Sequence, residues 1–250
     1  MTSIIAEYSE RRVLLAGHGS RLLPVLAAEF QTQGAHVVLA DPATPEDLPI
    51  PSSIMTIDGT IPMVRAAIER LGGLDILVSH SGPSAPGALL DVDARAWRAA
   101  VDTLVGEAFE LSQAAAQAMV GRGGVIVHVV GPDALHAYPR RSVAATGSTA
   151  IIGMIRVLAV ELATHGIRVV GVIHGPLDGG PVGPPAVTSG DRAARTLLRA
   201  PNGGLATATD VAAAVRFVAG PRARFMTGQA IRVDGGWASL NQAPTGMKFS

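Results

Sequence analysis

Apolar residues fall along this chain in two alternating rhythms. Short, nearly unbroken apolar runs stand at 12–17 (RVLLAG), 35–40 (AHVVLA), 54–57, 74–78, 125–130, 167–173 and 229–233. Runs of that length bounded by Gly and polar residues predict strands buried on both faces. Between them lie stretches with the period of an amphipathic helix: 22–30, 61–71, a long one from Asp91 or Asp93 to about Met119, 142–164, a short one at 192–198, and one starting at Thr209–Asp210. Asp91 and Asp93 are suitable helix caps, and Gly34, Gly72–Gly73 and Gly166 stand where helices stop. Strand, helix and strand in this alternation predict a single α/β domain, one parallel sheet with helices on both faces.

The stretch 142–164, SVAATGSTAIIGMIRVLAVELAT, has two unlike halves. Ile151, Ile152, Ile155, Leu158, Ala159 and Leu162 recur at three- and four-residue steps, which makes a buried face. Ala144, Ala145, Gly147, Ser148, Ala150 and Gly153 are all small. Gly is a poor helix former, so its use here implies a close neighbour.

Composition narrows the class of function. Charged residues make up 16% and the hydrophobic set 48%, ample for one large core. Lys and Arg balance Asp and Glu, 20 against 20, so nothing steers the chain toward nucleic acid or a membrane surface. Cys is absent, which excludes disulfides and thiolate chemistry and fits a cytoplasmic protein. The N-terminus lacks a long apolar signal core, and the apolar runs read as too short to span a membrane. Trp97 and Phe109 fall in the apolar pattern of their helix, which predicts core positions.

The first βαβ segment carries candidate chemistry. A strand, a turn with Gly17, Gly19 and Ser20, a helix, a second strand and then Asp41 is the outline of a dinucleotide site. Asp41 would accept hydrogen bonds from a ribose diol and disfavour a 2′-phosphate; it reads equally well as a polar strand end.

Four further stretches carry a resemblance. GAHVVLAD (34–41), LDILVSHSG (74–82), LAVELATHGIRVVGVIHGP (158–176) and TGQAIRVDGGW (227–237) fall in the order and spacing of the short-chain dehydrogenase/reductase family. The chain resembles that family from about Arg12 to Trp237. The resemblance implies a Rossmann-type doubly wound sheet of about seven strands, and dimers or tetramers built through the two long helices and the last strand. It also implies a cofactor turn reading TGxxxGxG, which falls on AGHGSRLL (16–23): Gly17 is kept, and Arg21 and Leu23 replace the other two glycines. Those glycines let a pyrophosphate approach the backbone. Arg21 would instead bind a phosphate by charge or fill the groove. Asp58 resembles the family's adenine-side Asp, and Gly179 takes the place of its nicotinamide-contacting Thr.

The family's Asn, Ser, Tyr and Lys set maps, in that order, onto Thr103, Gly131, Ala144 and Ser148. Neither Ala nor Gly has a side chain that donates a proton, and neutral Ser148 cannot lower a neighbour's pKa by charge. Nearby groups that would substitute are His128, Asp133 and Tyr138, with His136, His174, Arg140 and Arg141 around the same cleft. Each also reads as an ordinary loop or strand-end residue. A metal site is not indicated. The Gly/Pro-rich stretch 175–199 suits a mobile substrate lid within the domain.

Three functions follow in order. The first is a catalytically silent subunit that binds no nicotinamide and pairs with an active paralogue; the expected assembly is a homo- or hetero-oligomer, a dimer or tetramer. The second is an atypical, non-redox enzyme acting on a small molecule in the inherited cleft. The third is an NAD(H)-dependent oxidoreductase working by substrate assistance, with Gly17, Gly19, Ser20, Arg21, Asp41 and Asp58 holding the nucleotide.

Overall fold

The computed structural model describes residues 7–41, 54–55, 60–80, 87–177 and 201–239. The expected helix at 192–198, the lid beyond Leu177, Asp58 and Gly179 lie outside the described residues.

Seven strands form one sheet in the order β3-β2-β1-β4-β5-β6-β7, and every neighbouring pair is parallel. They are β1 (Arg12–Ala16), β2 (His36–Ala40), β3 (Ile54–Met55), β4 (Ile76–Ser79), β5 (Gly124–Val130), β6 (Ile167–His174) and β7 (Ala230–Val233). The helices are α1 (Leu23–Thr32), α2 (Thr60–Leu71), α3 (Ala94–Val101), α4 (Glu107–Met119), α5 (Ser142–Leu162) and α6 (Ala208–Ala219). The single long helix expected up to Met119 is interrupted by a π-helical turn, Asp102–Gly106, between α3 and α4. Such turns recur at functional sites and leave no periodic signature in apolar residues.

Strand alternation sends the side chains to two cores. Val13, Leu15, Val37, Leu39, Val127 and Val172 pack with α1 and α6. Leu14, Val38, Leu77, Ile126 and Val169 pack with α2, α4 and α5. The order reverses between β1 and β4, so the carboxyl ends of these strands open a crevice of the kind where open α/β sheets bind ligands.

Local signals set the element ends. Asp93 caps α3 by accepting from Arg95 N and Ala96 N, and Thr207 and Asp210 form a capping box on α6. Arg12 forms a bidentate ion pair with Asp75, tying β1 to the start of β4.

Helix α5 meets the sheet through buried Ile151, Ile155 and Ala159. Ile155 lies against Gly171 of β6, where a Cβ would come within 2.8 Å of its Cδ1. The expected close neighbour of the small half is Leu104 of the π turn, whose Cδ2 would be 2.2 Å from a Cβ on Gly147. By length and composition Ser142–His165 passes as long and apolar enough to cross a membrane, contrary to the expectation that no run does. Its inner face is the core of the sheet, while Val157 and Val160 face outward. Phe109 is 48% exposed rather than a core residue. Trp97 is half-buried, its indole N–H donating to Ser142 Oγ at 3.1 Å.

At Gly17 the backbone passes so close to β4 that a Cβ would lie 1.9 Å from the His80 carbonyl oxygen. Backbone on both sides cannot yield as a side chain can. Gly17→Ala should therefore lower stability by about 1–3 kcal/mol, read from urea midpoints; an unchanged midpoint would contradict the close approach.

Candidate functional site

The turn between β1 and α1 is closed by its own side chains. Asp41, at the end of β2, is 0% exposed. Its Oδ1 accepts from Gly19 N and its Oδ2 from Ser20 N, each at 2.8 Å. Ser20 Oγ accepts from Leu22 N and Leu23 N, both at 3.2 Å, so it does the work of a helix cap. With its lone pairs so used, the Ser20 hydroxyl donates to His80 Nδ1 at 2.7 Å. Leu22 and Leu23 are fully buried, and Leu23 Cδ1 fills the space beside Gly17.

This arrangement fits a dinucleotide poorly. A pyrophosphate is normally held by N–H groups at the start of such a helix, and here Gly19, Ser20, Leu22 and Leu23 already have acceptors. The acceptor at Gly19 and Ser20 is an anion, and the half-buried Glu107 lies close enough to Asp41 for their charges to interact. A carboxylate with no exposed surface does not reach a ribose diol.

His128 sits in a second buried chain, beneath α4. The Ser112 hydroxyl donates to Ala108 O at 2.7 Å, so its lone pair receives His128 Nε2–H at 2.9 Å. That leaves His128 Nδ1 to accept from the Ser79 hydroxyl at 2.7 Å. Both ring nitrogens are satisfied inside the sheet, and His128 is not brought together with Asp133.

Asp133 is held elsewhere. It is 5% exposed, in a short 3₁₀ turn (Pro132–Ala134) after β5. Both its oxygens accept from Arg141, from Nε and Nη2, at 2.7 Å. This fork is the strong bidentate form of the ion pair, and it raises the Arg141 pKa. Facing it across Gly131 is His174, the last residue of β6. His174 Nδ1–H donates to Gly175 O at 2.7 Å, and its buried Nε2 has no partner among the described residues. The His80 and His174 rings lie 5.6 Å apart.

The remaining candidates separate. Thr103 is exposed on the π turn and donates to Ala99 O at 3.0 Å. Ala144 and Ser148 are each 7% exposed in the first turns of α5. Tyr138 stacks on Trp237 (5.8 Å, 18°), and His136 meets the same indole edge-on at 4.6 Å. Arg21 is partly exposed in the turn. The sequence reading missed the roles of His80, Ser79, Ser112 and the Asp133–Arg141 pair. A histidine in the SHSG stretch, where the family has Asn, was the signal available for His80.

Burial holds the histidines neutral. The His80 pKa is pushed down to about 3 by burial and by His174, and that of His128 to about 4 by burial. For His174, burial also lowers it, against opposing effects of the Gly175 carbonyl and Asp133.

The comparisons with known proteins agree with this fold. A sequence model described as Enoyl-(Acyl carrier protein) reductase matches residues 25–238. The 2-(S)-hydroxypropyl-CoM dehydrogenase 3 of Xanthobacter autotrophicus is 31% identical over 71% of each chain. L-rhamnose 1-dehydrogenase (NAD(P)(+)) of Azotobacter vinelandii is 26% identical over 91% of this chain and 96% of its own. A putative short-chain alcohol dehydrogenase from Sinorhizobium meliloti superposes with a TM-score of 0.81 at 26% identity, covering 94% of this chain and 99% of the other. The chain belongs to the short-chain dehydrogenase/reductase family and has its oxidoreductase fold.

Two outcomes are expected from the site. Asp41→Ala would leave the buried Ser20 N–H and the part-buried Gly19 N–H without acceptors and should cost about 1–3 kcal/mol, measured by urea unfolding; a loss below about 0.5 kcal/mol would contradict the closed turn. For His80 and His128 the folded pKa lies below the ordinary 6.5. Below that pH the unfolded chain takes up protons that the folded chain refuses. Stability should be full at pH 7.5 and fall from about pH 6.5 toward 4, about tenfold in the folding equilibrium per pH unit for each ring. Equal urea midpoints at pH 7.5 and 5 would contradict it.

Proposed function

We propose that this chain is a family member that does not run the tyrosine–lysine hydride-transfer chemistry and acts as a silent subunit beside an active paralogue. One observation carries the reading: the carboxylate of Asp41 occupies the backbone donors that a nucleotide phosphate would need. Ala144 and Ser148 at the two key positions support it, because neither supplies a proton donor tuned by a neighbouring cation. Pairing is supported by an apolar surface over α4 and α5, where Phe109, Val120, Val157 and Val160 are 48%, 52%, 56% and 77% exposed. Surface of that kind marks a protein contact.

Two other readings each have one observation in their favour. His174 Nε2, which has no partner among the described residues, favours a protein that handles a small molecule in the cleft without nicotinamide. The relatives' names, dehydrogenases and reductases, favour an oxidoreductase that uses NAD(H) with substrate assistance.

Calorimetry separates the oxidoreductase reading from the other two. Titration of the full chain with NAD+, NADH, NADP+ and NADPH to millimolar concentration should give no saturable heat. Saturable binding of any of the four would overturn the proposal and favour the oxidoreductase reading.

A further inference from the structure

The chain has two asparagines, Asn202 and Asn241, and only the first is followed by glycine. Asn202 and Gly203 are both exposed, in the turn that leads to α6. The turn is fixed at two points. Asn202 N–H donates to Gly235 O at 3.1 Å, and Ala206 is bridged to Leu177. Between them, among the described residues, the Asn202 side-chain amide and the Gly203 N–H have no hydrogen-bond partner. A Cβ on Gly203 would meet nothing within 4 Å, yet its φ of +79° is one that glycine adopts freely and other residues do not.

An asparagine amide is one ring closure away from the next backbone nitrogen. Attack of Gly203 N on Asn202 Cγ forms a five-membered succinimide. The Cγ–Nδ2 bond breaks, the Gly203 proton passes to the departing nitrogen, and ammonia leaves. Water then opens the ring. Opening at Cγ gives aspartate; opening at the main-chain carbonyl gives isoaspartate, in which the chain runs through Cβ and Cγ. Nothing is oxidised or reduced. A side chain on the following residue hinders the first attack, and glycine has none. A second pair of this kind, Asp234–Gly235, faces the first, and it is held. The Asp234 carboxylate accepts from Gly236 N and Ala238 N, each at 2.9 Å, and an ionised carboxylate has no good leaving group. Of the two facing pairs, only Asn202–Gly203 is free to close.

We propose that Asn202–Gly203 is a site of spontaneous deamidation, with isoaspartate among its products. The extra backbone carbon falls between the two fixed points, the bond to Gly235 and the bridge to Leu177. The new carboxylate joins a turn that already carries Asp234. The modification therefore loosens residues 201–206 from residues 234–237, where Trp237 is buried beside Tyr138 and His136. It proceeds whether or not the chain pairs with a paralogue.

The test incubates the full folded chain in H₂¹⁸O at pH 7.5 and maps its peptides by mass spectrometry. Electron-transfer fragmentation tells isoaspartate from aspartate. Residue 202 should exchange its amide for an ¹⁸O-labelled acid. Its rate should lie within about tenfold of that in a synthetic peptide spanning 199–207, a barrier difference under about 1.4 kcal/mol. Asn241, followed by Gln, should convert at least about tenfold more slowly, and Gly203→Ala should slow residue 202 by at least as much. Alanine is strained at that φ, so Asn202→Gln is the second variant. Its closure needs a larger ring, and it should keep both its amide and the native fold. In the purified isoaspartate form, amide exchange at residue 202 and Trp237 should be at least about tenfold faster than in the unmodified chain. The proposal is overturned if the folded chain keeps its Asn202 amide while the peptide loses it, since the fold would then restrain the site. It is equally overturned if Asn241 converts as fast, or if exchange in the isoaspartate form is unchanged. The cofactor titration is independent of all these outcomes.

Discussion

A carboxylate bonded to two consecutive backbone N–H groups holds the first turn of this sheet. Asp41 reaches from the end of β2 to Gly19 and Ser20, and Ser20 passes the constraint on to α1 and to His80. Charge-assisted bonds of this kind are about twice as strong as neutral ones, and this one is shielded from water. Three strands and a helix are tied through the Asp41 and Ser20 side chains. Asp41 takes two of the N–H groups at the turn where the family's nucleotide site would be built. On the proposed reading, stability and cofactor binding compete for one set of N–H groups, and the fold holds them.

Helix α5 illustrates the separation of packing from chemistry. Its second half keeps Ile151, Ile155 and Ala159 against β6, because the sheet requires an apolar face there. Its first half has small side chains where a proton relay would project. Gly147 is explained by Leu104 of the π turn, which packs where any larger side chain would collide. Ala144 and Ser148 have no such explanation in the helix itself.

The fold was legible from the alternation of apolar runs and helical periods, since a parallel sheet imposes both. The π turn was not, because five residues at an altered pitch disturb no apolar pattern. The site was legible as positions and not as partners. Asp41 and Ser20 were picked out as nucleotide ligands from spacing alone. That the two join each other instead depends on a side-chain direction, which spacing does not carry. His128 and Asp133 stand close in sequence, yet β5 turns one beneath α4 and the following loop turns the other toward Arg141. Phe109 belongs to the apolar pattern of its helix and still faces outward, since period alone does not distinguish a core face from an exposed apolar one.

The central claim is that the turn's N–H groups are already satisfied by Asp41. Amide hydrogen exchange at Gly19 and Ser20, followed by NMR in the presence and absence of millimolar NADH, tests it most directly. The account expects both amides to be protected in the free chain and their rates to be unchanged by NADH. Rapid exchange in the free chain, slowed when NADH is added, would contradict it.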